Sequence, residues 1–566
     1  MMKIVFTVLL ALTAMGSLAQ NPMIIPPAID GGTYQLTLQT GTHEFYPGVT
    51  TNTMGINGNL LGPTLIMEAG ESVDISVENQ LGENSTIHWH GMHVSAENDG
   101  GPHTIINDGS IWNPQFTVLD KAATYWYHPH LHEKTNEHVV KGLAGFVIVQ
   151  DSEESALDLP RTYGTDDFPV VFQTKAFDGL GQVVMDTELD TAVMANGTVN
   201  AQIDLPAQVV RLRLLNGASQ RAFNVTLSND SSFHQIASDG GLLSEPVELN
   251  ELLLAPGERA EILIDLTGMD GQAFSVMSKS SNIPNNTHGA GIVTMMQQTI
   301  PGYNDNPLNG ADFDLFNIDV VAATANPITL VPSTLAQVNP YLEADADTTR
   351  TITLDPAAIG PNVMIEGPFV IDGVGFDMNV INQTIKLGDT EIWEIFNQSG
   401  ISHPFHIHDV QFFILDINGI SPPENQQGRK DVVLVPPIGS VRFITKFEDF
   451  ANADTPYMYH CHMLTHEDEG MMGQFLVVDD NTSIKENTEF ANIYPNPTKG
   501  GLVRIESRIS MESLTIYGMD GQLIHRERLF GKTNHEIDLA GIGKNVMVQI
   551  RTTNGSYINQ MIINSE

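Results

Sequence analysis

The chain has 566 residues, enough for three or four domains at roughly 150 residues per domain. It contains 68 Asp and Glu residues but only 26 Lys and Arg residues, which gives a formal net charge of -42 at pH 7. This excludes nucleic acid as a main partner, because phosphate binding needs clustered Lys and Arg side chains that the chain does not have. Such a surface instead attracts small cations and neutral or cationic organic molecules.

Residues 1–19 have the pattern of a secretory signal peptide. Lys3 precedes an apolar run at residues 4–12, and Ser-Leu-Ala at residues 17–19 precedes Gln20. The run is too short to cross a membrane, and no later segment has about 18 uninterrupted apolar residues. We therefore predict an exported protein without a membrane span. Its single cysteine, Cys461, excludes disulfides within the chain, so its stability must come from packing.

Beyond the signal peptide, short runs rich in Val, Ile, Leu, Thr and Phe alternate with turns rich in Gly, Pro, Asn and Asp. Long helical periodicity is nearly absent, so this pattern predicts antiparallel β-sandwiches. Three similar strand-like segments end in Asn, at residues 73–79, 210–216 and 391–397. We interpret them as the same strand in three homologous sandwich domains of about 150 residues each.

The repeat carries a histidine pattern. The ninth and eleventh residues after Asn79 and after Asn397 are both histidines, whereas the copy after Asn216 has Val225 and Leu227 there. A second His-x-His pair follows in the first and third copies, so each of these two domains has two pairs and the second has none. The eight histidines are His88, His90, His128, His130, His406, His408, His460 and His462.

His-x-His pairs suit neighbouring metal ions. Residues two apart on a strand face the same side and lie about 6.6 Å apart, whereas a metal ion lies about 2 Å from each of its ligands. Two such imidazoles therefore rarely share one ion, and eight imidazoles divide naturally as three, three and two over three ions. A lone pair would be weak evidence, but four pairs at matching repeat offsets indicate a metal cluster.

Cys461 lies between two of these histidines, so its sulfur faces the opposite side of the strand. The candidate partners on that side are His403, His466 and Met471. A His2Cys site with a weak axial Met is the geometry of a blue-copper centre, and the thiolate favours copper over zinc. The first domain has Ser85 and Pro129 at the positions of His403 and Cys461, so we predict that it lacks this mononuclear site.

These segments resemble the four copper motifs of the multicopper oxidases. The resemblance covers about residues 30 to 480. Within the family, the chain is most similar to bacterial three-domain laccases and periplasmic cuprous oxidases. It implies an all-β fold of three cupredoxin-like Greek-key β-sandwich domains and four copper ions. The implied ligands are His403, Cys461, His466 and Met471 for type 1 copper, His88 and His406 for type 2 copper, and His90, His128, His130, His408, His460 and His462 for the type 3 pair.

The resemblance also implies a reaction, in which single electrons pass from a substrate through Cys461 to a cluster that reduces O2 to water. Asp99 and Glu467 match acids that donate protons in the resembling enzymes, and we predict this role for both. The alternative is that they only orient water or ligating imidazoles. Two other functions compete: a copper-storage or electron-carrier protein, and a copper nitrite reductase, which would not need ligands for a coupled copper pair.

The substrate is predicted from the surroundings of the type 1 motif. An axial Met implies a moderate potential, which favours phenols, aromatic amines or low-valent metal ions. Residues 345–397, where cuprous oxidases carry a Met-rich insertion, contain only Met364 and Met378. We therefore predict laccase-like oxidation of phenolic and aminophenolic compounds, with oxidation of Cu(I), Fe(II) or Mn(II) secondary. Acids that could bind a cationic substrate, or could simply be solvated surface, are Asp409, Asp468 and Glu469.

Seven further histidines precede the C-terminal region. For His93, His103, His132 and His138 we predict positions beside the ligands or at the surface, because the motif residues already suffice for four copper ions. His43, His234 and His288 have no motif context and are assigned no role.

A polar linker after residue 480 precedes a small C-terminal β-sandwich. Its segments 494–500, 514–518 and 558–564 resemble a type IX secretion sorting domain, which implies the type IX secretion machinery as a partner. The protein would then pass through the periplasm and be secreted or attached to the cell surface. The alternative is a generic sandwich that assists binding or stability. The predicted domains are residues 20–155, 156–305 (copper-free), 306–482 (type 1 copper) and 483–566 (linker and sorting domain).

Overall fold

The structure is a computed structural model of the chain, and it describes residues 20–185, 189–479, 491–518, 522–540, 545–553 and 557–565. The predicted signal peptide lies outside the described residues, as does most of the predicted linker. The chain divides into two compact units, Met1–Val478 and Asp479–Glu566. The predicted all-β fold is confirmed, since strands make up both units and the helices are short.

Two sheets of five strands form the first sandwich. In spatial order, one consists of Ala28–Ile29, Thr64–Glu68, Gly145–Gln150, Ala123–His128 and His88–His90. The other consists of Val49–Ile56, Thr33–Tyr46, Ser72–Gln80 and Ile111–Trp112, with Gln115–Thr117 also paired to Ser72–Gln80. Leu36 and Val77 of one sheet pack with Leu65 and Tyr125 of the other in a single buried cluster. Each such apolar side chain contributes about 1.5–3 kcal/mol when buried.

The second sandwich has a six-stranded and an eight-stranded sheet. The first consists of Asn21–Pro22, Ala201–Pro206, Phe313–Val321, Ala273–Ser278, Phe223–Leu227 and Leu252–Leu254. The second consists of Thr198–Val199, Ala192–Ala195, Asp167–Phe177, Val209–Asn216, Arg259–Asp265, Phe233–Ser238 and Gly241–Leu249, with Val183–Val184 paired to Asp167–Phe177. Its core includes Leu212 and Phe223.

Two segments differ from the predicted domain boundaries. Phe313–Val321 was predicted to belong to the third domain, but it pairs with Ala201–Pro206 and with Ala273–Ser278 of the second sandwich. Asn21–Pro22 was predicted to belong to the first domain, but it pairs with Ala201 and Gln202. The alternating pattern of a strand identifies it as a strand but does not show which sheet its backbone joins.

The third sandwich again has two five-stranded sheets. One consists of Phe369–Ile371, Thr348–Pro356, Thr390–Asn397, Ser440–Lys446 and Phe413–Ile417. The other consists of Gln383–Lys386, Met472–Val478, Tyr457–Cys461, His403–Ile407 and Val432–Val435. Trp393 and Phe443 of the first sheet pack with Phe405 and Tyr459 of the second.

The C-terminal unit is built from strands alone among its described residues. Its strands are Ala491–Tyr494, Thr498–Lys499, Leu502–Gly518, Leu523–Asp538, Asn545–Thr552 and Tyr557–Ser565. It has its own buried cluster, which includes Val503, Leu514 and Val548.

Helices are confined to short connections. The α-helices are Ala96–Asp99, Thr135–Lys141, Ser152–Ser155, Val363–Glu366 and Leu464–Asp468, and the 3-10 helices are Ser280–Asn282, Tyr303–Asp305, Glu343–Asp345 and Glu424–Gln426. Within the described residues, no helix has the length and apolar character needed to cross a membrane.

The three Asn residues of the sequence repeat occupy equivalent positions. Each is buried and is the last or next-to-last residue of a strand that pairs in parallel with the first long strand of its sandwich. In each, the side-chain oxygen accepts the backbone N–H two residues later, at 3.0, 3.0 and 2.9 Å for Asn79, Asn216 and Asn397. The side-chain amide donates to a backbone carbonyl four or five residues later, at 2.8, 2.8 and 2.7 Å. The shared turn begins the path to the strand that carries the first His-x-His pair.

Candidate metal centre

Strand pairing brings the histidine pairs together. His88 lies opposite His128 in the antiparallel pair of the first sandwich, and His406 lies opposite His460 in the third. Opposite residues of an antiparallel pair present their side chains on the same face. The two sandwiches then meet along these faces, where the rings of His88 and His408 stack with centroids 3.8 Å apart. All eight histidines of the pairs are at most 1% exposed.

Six of the eight histidines form two groups of three. In the first, Nδ1 of His90 lies 3.4 Å from Nε2 of His128 and 3.2 Å from Nε2 of His462. The second group consists of His130, His408 and His460, with 3.1 Å between Nε2 of His130 and Nε2 of His460. Within each group, the candidate ligand atoms all lie within 4.8 Å of one another. Each group therefore has the composition and spacing of a three-imidazole metal site.

The remaining pair, His88 and His406, each have one nitrogen engaged and one free. Their Nδ1–H groups donate to the backbone carbonyls of Asp99 and Asp431, at 2.9 and 2.8 Å. Their Nε2 atoms are buried and have no hydrogen-bond partner. A buried nitrogen without a partner costs free energy, and a bound metal ion would satisfy both.

Seven of the eight histidines of the pairs have lowered pKa values, which favours the neutral form that a metal ligand needs. Burial lowers the pKa of His460 to about 3. Burial, and then the neighbouring imidazoles, also lower the pKa values of further members well below the ordinary value, namely His90, His128, His130, His406, His408 and His462. Protonated imidazoles packed this closely would repel one another, so these side chains suit metal ions only as neutral nitrogen donors.

Cys461 forms a separate site on the other face of its strand. Its sulfur lies 3.5 Å from Nδ1 of His403 and 3.6 Å from Nδ1 of His466. The Nε2–H of His403 donates to Ser399 Oγ at 2.7 Å, which leaves Nδ1 free toward the sulfur. Burial raises the pKa of the Cys461 thiol, so a bound cation is needed to hold the thiolate.

Met471 is buried beside this site. Its backbone carbonyl accepts from the Cys461 N–H at 3.1 Å, and its N–H donates to the His466 carbonyl at 2.9 Å. The ring centroid of Phe369 lies 4.7 Å from the ring centroids of both His403 and His466.

Sequence profiles of the multicopper oxidases match residues 37–154 and 341–481, and a profile of the secretion system C-terminal sorting domain matches residues 492–564. The chain is 35% identical over 463 residues to a multicopper oxidase of Staphylococcus haemolyticus, across 79% of this chain and 88% of that protein. It is 29% identical over 479 residues to the cell division protein FtsP of Escherichia coli, across 81% of this chain and 93% of that protein. The chain belongs to the multicopper oxidase family.

Solved structures agree. A laccase-like multicopper oxidase of Ochrobactrum sp. superposes with a TM-score of 0.71 at 34% identity, covering 81% of this chain and all (100%) of that one. A multicopper oxidase of Campylobacter jejuni, described as a metallo-oxidase, superposes with a TM-score of 0.67 at 26% identity, covering 81% of this chain and 96% of that one. This multicopper oxidase is therefore a copper-binding oxidoreductase that uses O2.

The two predicted acids lie against the histidine cluster of the oxidase. Asp99 Oδ2 accepts from His408 Nδ1 at 2.8 Å, and its backbone carbonyl binds His88. The carboxylate oxygens of Glu467 lie 3.3 Å from Nδ1 of His130 and 3.3 Å from Nδ1 of His460. Both acids are 1% exposed. Burial raises the pKa of Glu467 well above its ordinary value, so this carboxyl favours the protonated form.

Two of the three acids considered for binding a cationic substrate, Asp409 and Asp468, bind groups inside the protein instead. Asp409 is buried, and its carboxylate lies 2.9 Å from Nδ1 of His93. Burial alone would lower the pKa of His93, but the Asp409 carboxylate outweighs this effect and raises that pKa to about 10. Asp468 accepts the backbone N–H groups of Thr135 and Asn136, both at 2.9 Å, at the start of a helix of the first sandwich. Only Glu469 of the three is exposed, because the other two satisfy internal donors.

The other nearby histidines make local contacts. Ser85 Oγ lies 3.2 Å from Nδ1 of His138, at the position where the third sandwich has its sulfur site. His103 Nε2 is 2.7 Å from Gln474 Oε1, and the ring of His132 lies edge-on to Phe376 at 5.1 Å. With His93, these side chains lie beside the ligands or near the surface, and none joins a metal group of the described residues.

Sequence reasoning missed Asp431 and Arg259. Asp431 is fully buried, lies 3.1 Å from Nε2 of His90 and forms a bidentate bond with Arg259 of the second sandwich, at 2.6 Å twice. The available signal was a charged pair, Lys430 and Asp431, directly before the apolar strand Val432–Val435. A charge at the start of a buried strand needs a partner, but the sequence does not name one.

Proposed function

We propose that the protein is a laccase-like multicopper oxidase that couples one-electron oxidation of phenols and aromatic amines to four-electron reduction of O2 to water. One observation carries the proposal. His460 and His462 belong to different groups of three imidazoles, while Cys461 between them belongs to the sulfur site. A single three-residue segment therefore connects an electron-accepting site to two metal positions of a cluster.

Four copper ions account for the donors. His403, Cys461, His466 and Met471 would hold type 1 copper, and His88 and His406 would hold type 2 copper. The type 3 pair would lie on His90, His128 and His462 for one ion and on His130, His408 and His460 for the other. The free Nε2 atoms of His88, His406 and His408 support this assignment, since each is buried without a partner.

Bound copper would supply the one-electron redox chemistry that the reaction needs. Reduction of O2 to two waters consumes four electrons and four protons, so the protein must also deliver protons to a buried place. Asp99 and Glu467 are the acids in position, because each contacts two cluster histidines. Protonated Glu467 would give up its proton beside His130 and His460 and would regain one from solvent.

Substitution of Cys461 by Ser tests the connection between the sites. We expect Cys461→Ser to abolish the blue absorption and substrate oxidation while three copper ions remain in the cluster, because the sulfur lies on the opposite face from the His460 and His462 rings. Absorption spectra and copper content per chain measure this. Retained oxidase activity would contradict the connection through Cys461.

A phenolic substrate is supported by the similar Ochrobactrum protein, which is described as active toward lignin model compounds and lignosulfonate. Oxidation of Cu(I) or another metal ion is the second candidate, since the similar Campylobacter protein is described as a metallo-oxidase. The segment at residues 345–397 has only two methionines for binding a soft ion.

Kinetics on fully copper-loaded enzyme distinguish these substrates. We expect kcat/KM for a substituted phenol to exceed the values for Cu(I), Fe(II) and Mn(II). A value for Cu(I) far above that for every phenol would contradict the laccase-like assignment and leave the oxidase assignment intact.

A non-catalytic copper-binding or electron-transfer protein is the alternative of a different class. The complete set of buried histidine pairs favours the enzyme, since an electron carrier needs only the Cys461 site. Steady O2 uptake in the presence of a phenol, by protein loaded with the proposed set of copper ions, supports the enzyme. Copper binding without O2 uptake would support the alternative.

Export is the last part of the proposal. The sorting profile at residues 492–564 supports passage through the type IX secretion machinery. Together with the signal pattern at residues 1–19, it supports transit through the periplasm followed by secretion or surface attachment.

A further inference from the structure

We propose that Asp431 and Arg259 are positioning residues of the histidine cluster, and that the second sandwich, which has no His-x-His pair, thereby helps to build the copper site. The inference rests on the proposed copper ligands. It assigns a role in metal binding to a domain that donates no ligand.

Asp431 touches histidines of both flanking sandwiches. Its Oδ1 accepts from Nε2–H of His90 at 3.1 Å, and its backbone carbonyl accepts from Nδ1–H of His406 at 2.8 Å. The rings of these two histidines stack with centroids 3.8 Å apart. Asp431 thus fixes the orientation of two neighbouring imidazoles.

The contact with His90 decides which of its nitrogens can bind metal. Because Nε2 of His90 carries the proton donated to Asp431, Nδ1 is left free, and it is Nδ1 that lies near Nε2 of His128 and of His462. The other tautomer, with the proton on Nδ1, would place a hydrogen between these donors. A partner that fixes the tautomer of a ligating histidine is worth about 10–100-fold in metal affinity or activity.

Arg259 holds the carboxylate of Asp431 in place. Its two terminal nitrogens donate to the two carboxylate oxygens at 2.6 Å each, which fixes the plane of the carboxylate as well as its position. Arg259 is itself anchored by donation to the backbone carbonyls of Thr124, Gly257 and Asp239, at 3.1, 3.1 and 3.0 Å. All five donors of the guanidinium are in use within a buried environment.

Two glycines make room for this arrangement. A Cβ on Gly91 would lie 2.3 Å from Asp431 Oδ2 and 2.5 Å from an Arg259 nitrogen. A Cβ on Gly257 of the second sandwich would lie 2.9 Å from the ring of His462. The second sandwich therefore reaches the cluster twice, through the side chain of Arg259 and through the backbone at Gly257.

The test is Asp431→Asn in the full chain. Asn has one oxygen and one NH2 group, so a donor must face either His90 or Arg259, and the present bonds cannot all form. We expect the affinity of the cluster for copper to fall about 10–100-fold, so that half-loading needs a correspondingly higher concentration of free copper. We also expect the electron paramagnetic resonance spectrum of the copper on His88 and His406 to change. The blue absorption of the Cys461 site should remain.

Asp167→Asn is the matched control. Asp167 also forms a buried bidentate bond, at 2.7 and 2.8 Å, with Nε and one terminal nitrogen of Arg213 of the second sandwich, and it contacts no cluster histidine through this bond. We expect this variant to keep wild-type copper affinity in the cluster. Wild-type cluster affinity in Asp431→Asn, or an equal loss in Asp167→Asn, would overturn the inference.

Two further variants cover the case in which Asp431→Asn does not fold. Arg259→Lys keeps the charge but not the fork geometry, so we expect a smaller loss of cluster affinity. Gly257→Ala should displace the His462 ring and weaken copper binding in the cluster. Gly268→Ala is its control, since Gly268 has a similar positive φ, +77° against +85°, and a Cβ there would meet nothing within 4 Å. Unchanged cluster affinity in both Arg259→Lys and Gly257→Ala would overturn the inference.

Failure of this inference differs from failure of the proposed function. If wild-type protein binds copper only at the Cys461 site, the proposed cluster is wrong. If the wild type binds all four ions and Asp431→Asn does so equally well, only the role of Asp431 is wrong.

Discussion

A buried imidazole can bind a metal ion only through the nitrogen that its other hydrogen bond leaves free. His88 and His406 donate Nδ1–H to backbone carbonyls and leave Nε2 free, whereas His90 donates Nε2–H to Asp431 and leaves Nδ1 free. The repeat in the sequence predicted that these histidines would meet. It could not predict which nitrogen faces the cluster, because Asp431 lies 341 residues from His90.

At the residue scale, Asp99→Asn tests the proposed proton donor. We expect the blue absorption to remain and kcat to fall by about 10²-fold, the lower range for loss of a general acid. Steady-state turnover and copper content per chain measure the effect. Glu97→Gln is the control, since Glu97 is an exposed carboxylate on the same short helix. Unchanged turnover in Asp99→Asn would exclude the role, and loss of copper with normal turnover per bound copper would favour a purely orienting role.

The strand Tyr457–Cys461 and the residue after it show what alternation alone can predict. His460 faces the cluster and Cys461 faces the sulfur site, as the alternation of side chains along a strand requires. The assignment of each histidine to a group of three needed the opposite sandwich, since His462 joins His90 and His128 across a domain boundary. Local pattern therefore predicted the faces, and packing between domains decided the groups.

At the scale of the element, Asn216→Ala tests the turn that follows the repeated strand. The change leaves the carbonyls of Arg221 and Leu254 and the N–H of Ala218 without their partner. We expect the free energy of unfolding to fall by about 1–3 kcal/mol, the cost of buried polar groups left unsatisfied. Chemical denaturation measures it.

Asn250→Ala provides the comparison for this turn. Asn250 is an exposed Asn in the same sandwich, and we expect a change within about 0.5 kcal/mol. Equal losses in the two variants would mean that the repeated Asn does not stabilise the turn through its buried hydrogen bonds.

At the scale of the whole molecule, the scarce cations serve the interior. The described residues include six buried Lys and Arg side chains out of 26 in the chain, namely Lys175, Arg211, Arg213, Arg221, Arg259 and Lys430. Arg211, Arg213 and Arg259 join the second sandwich to neighbouring segments through Glu154, Thr124 and Asp431. This leaves fewer cations for the surface, consistent with the exclusion of nucleic acid from composition, although composition alone did not show where the cations lie.

The division of the chain at residues 478 and 479 separates the oxidase from the C-terminal unit, which has its own buried cluster. Since every proposed copper ligand precedes residue 472, we expect deletion from about residue 488 to leave copper content and kcat unchanged. The truncated protein should accumulate in the periplasm, because it lacks the segment matched by the sorting profile. Fractionation and activity assays measure both.

Deletion from residue 470 removes Met471 and the strand Met472–Val478 of the third sandwich, and should abolish the blue absorption. Loss of folding or activity on deletion from residue 488 would instead make the C-terminal unit an integral part of the oxidase.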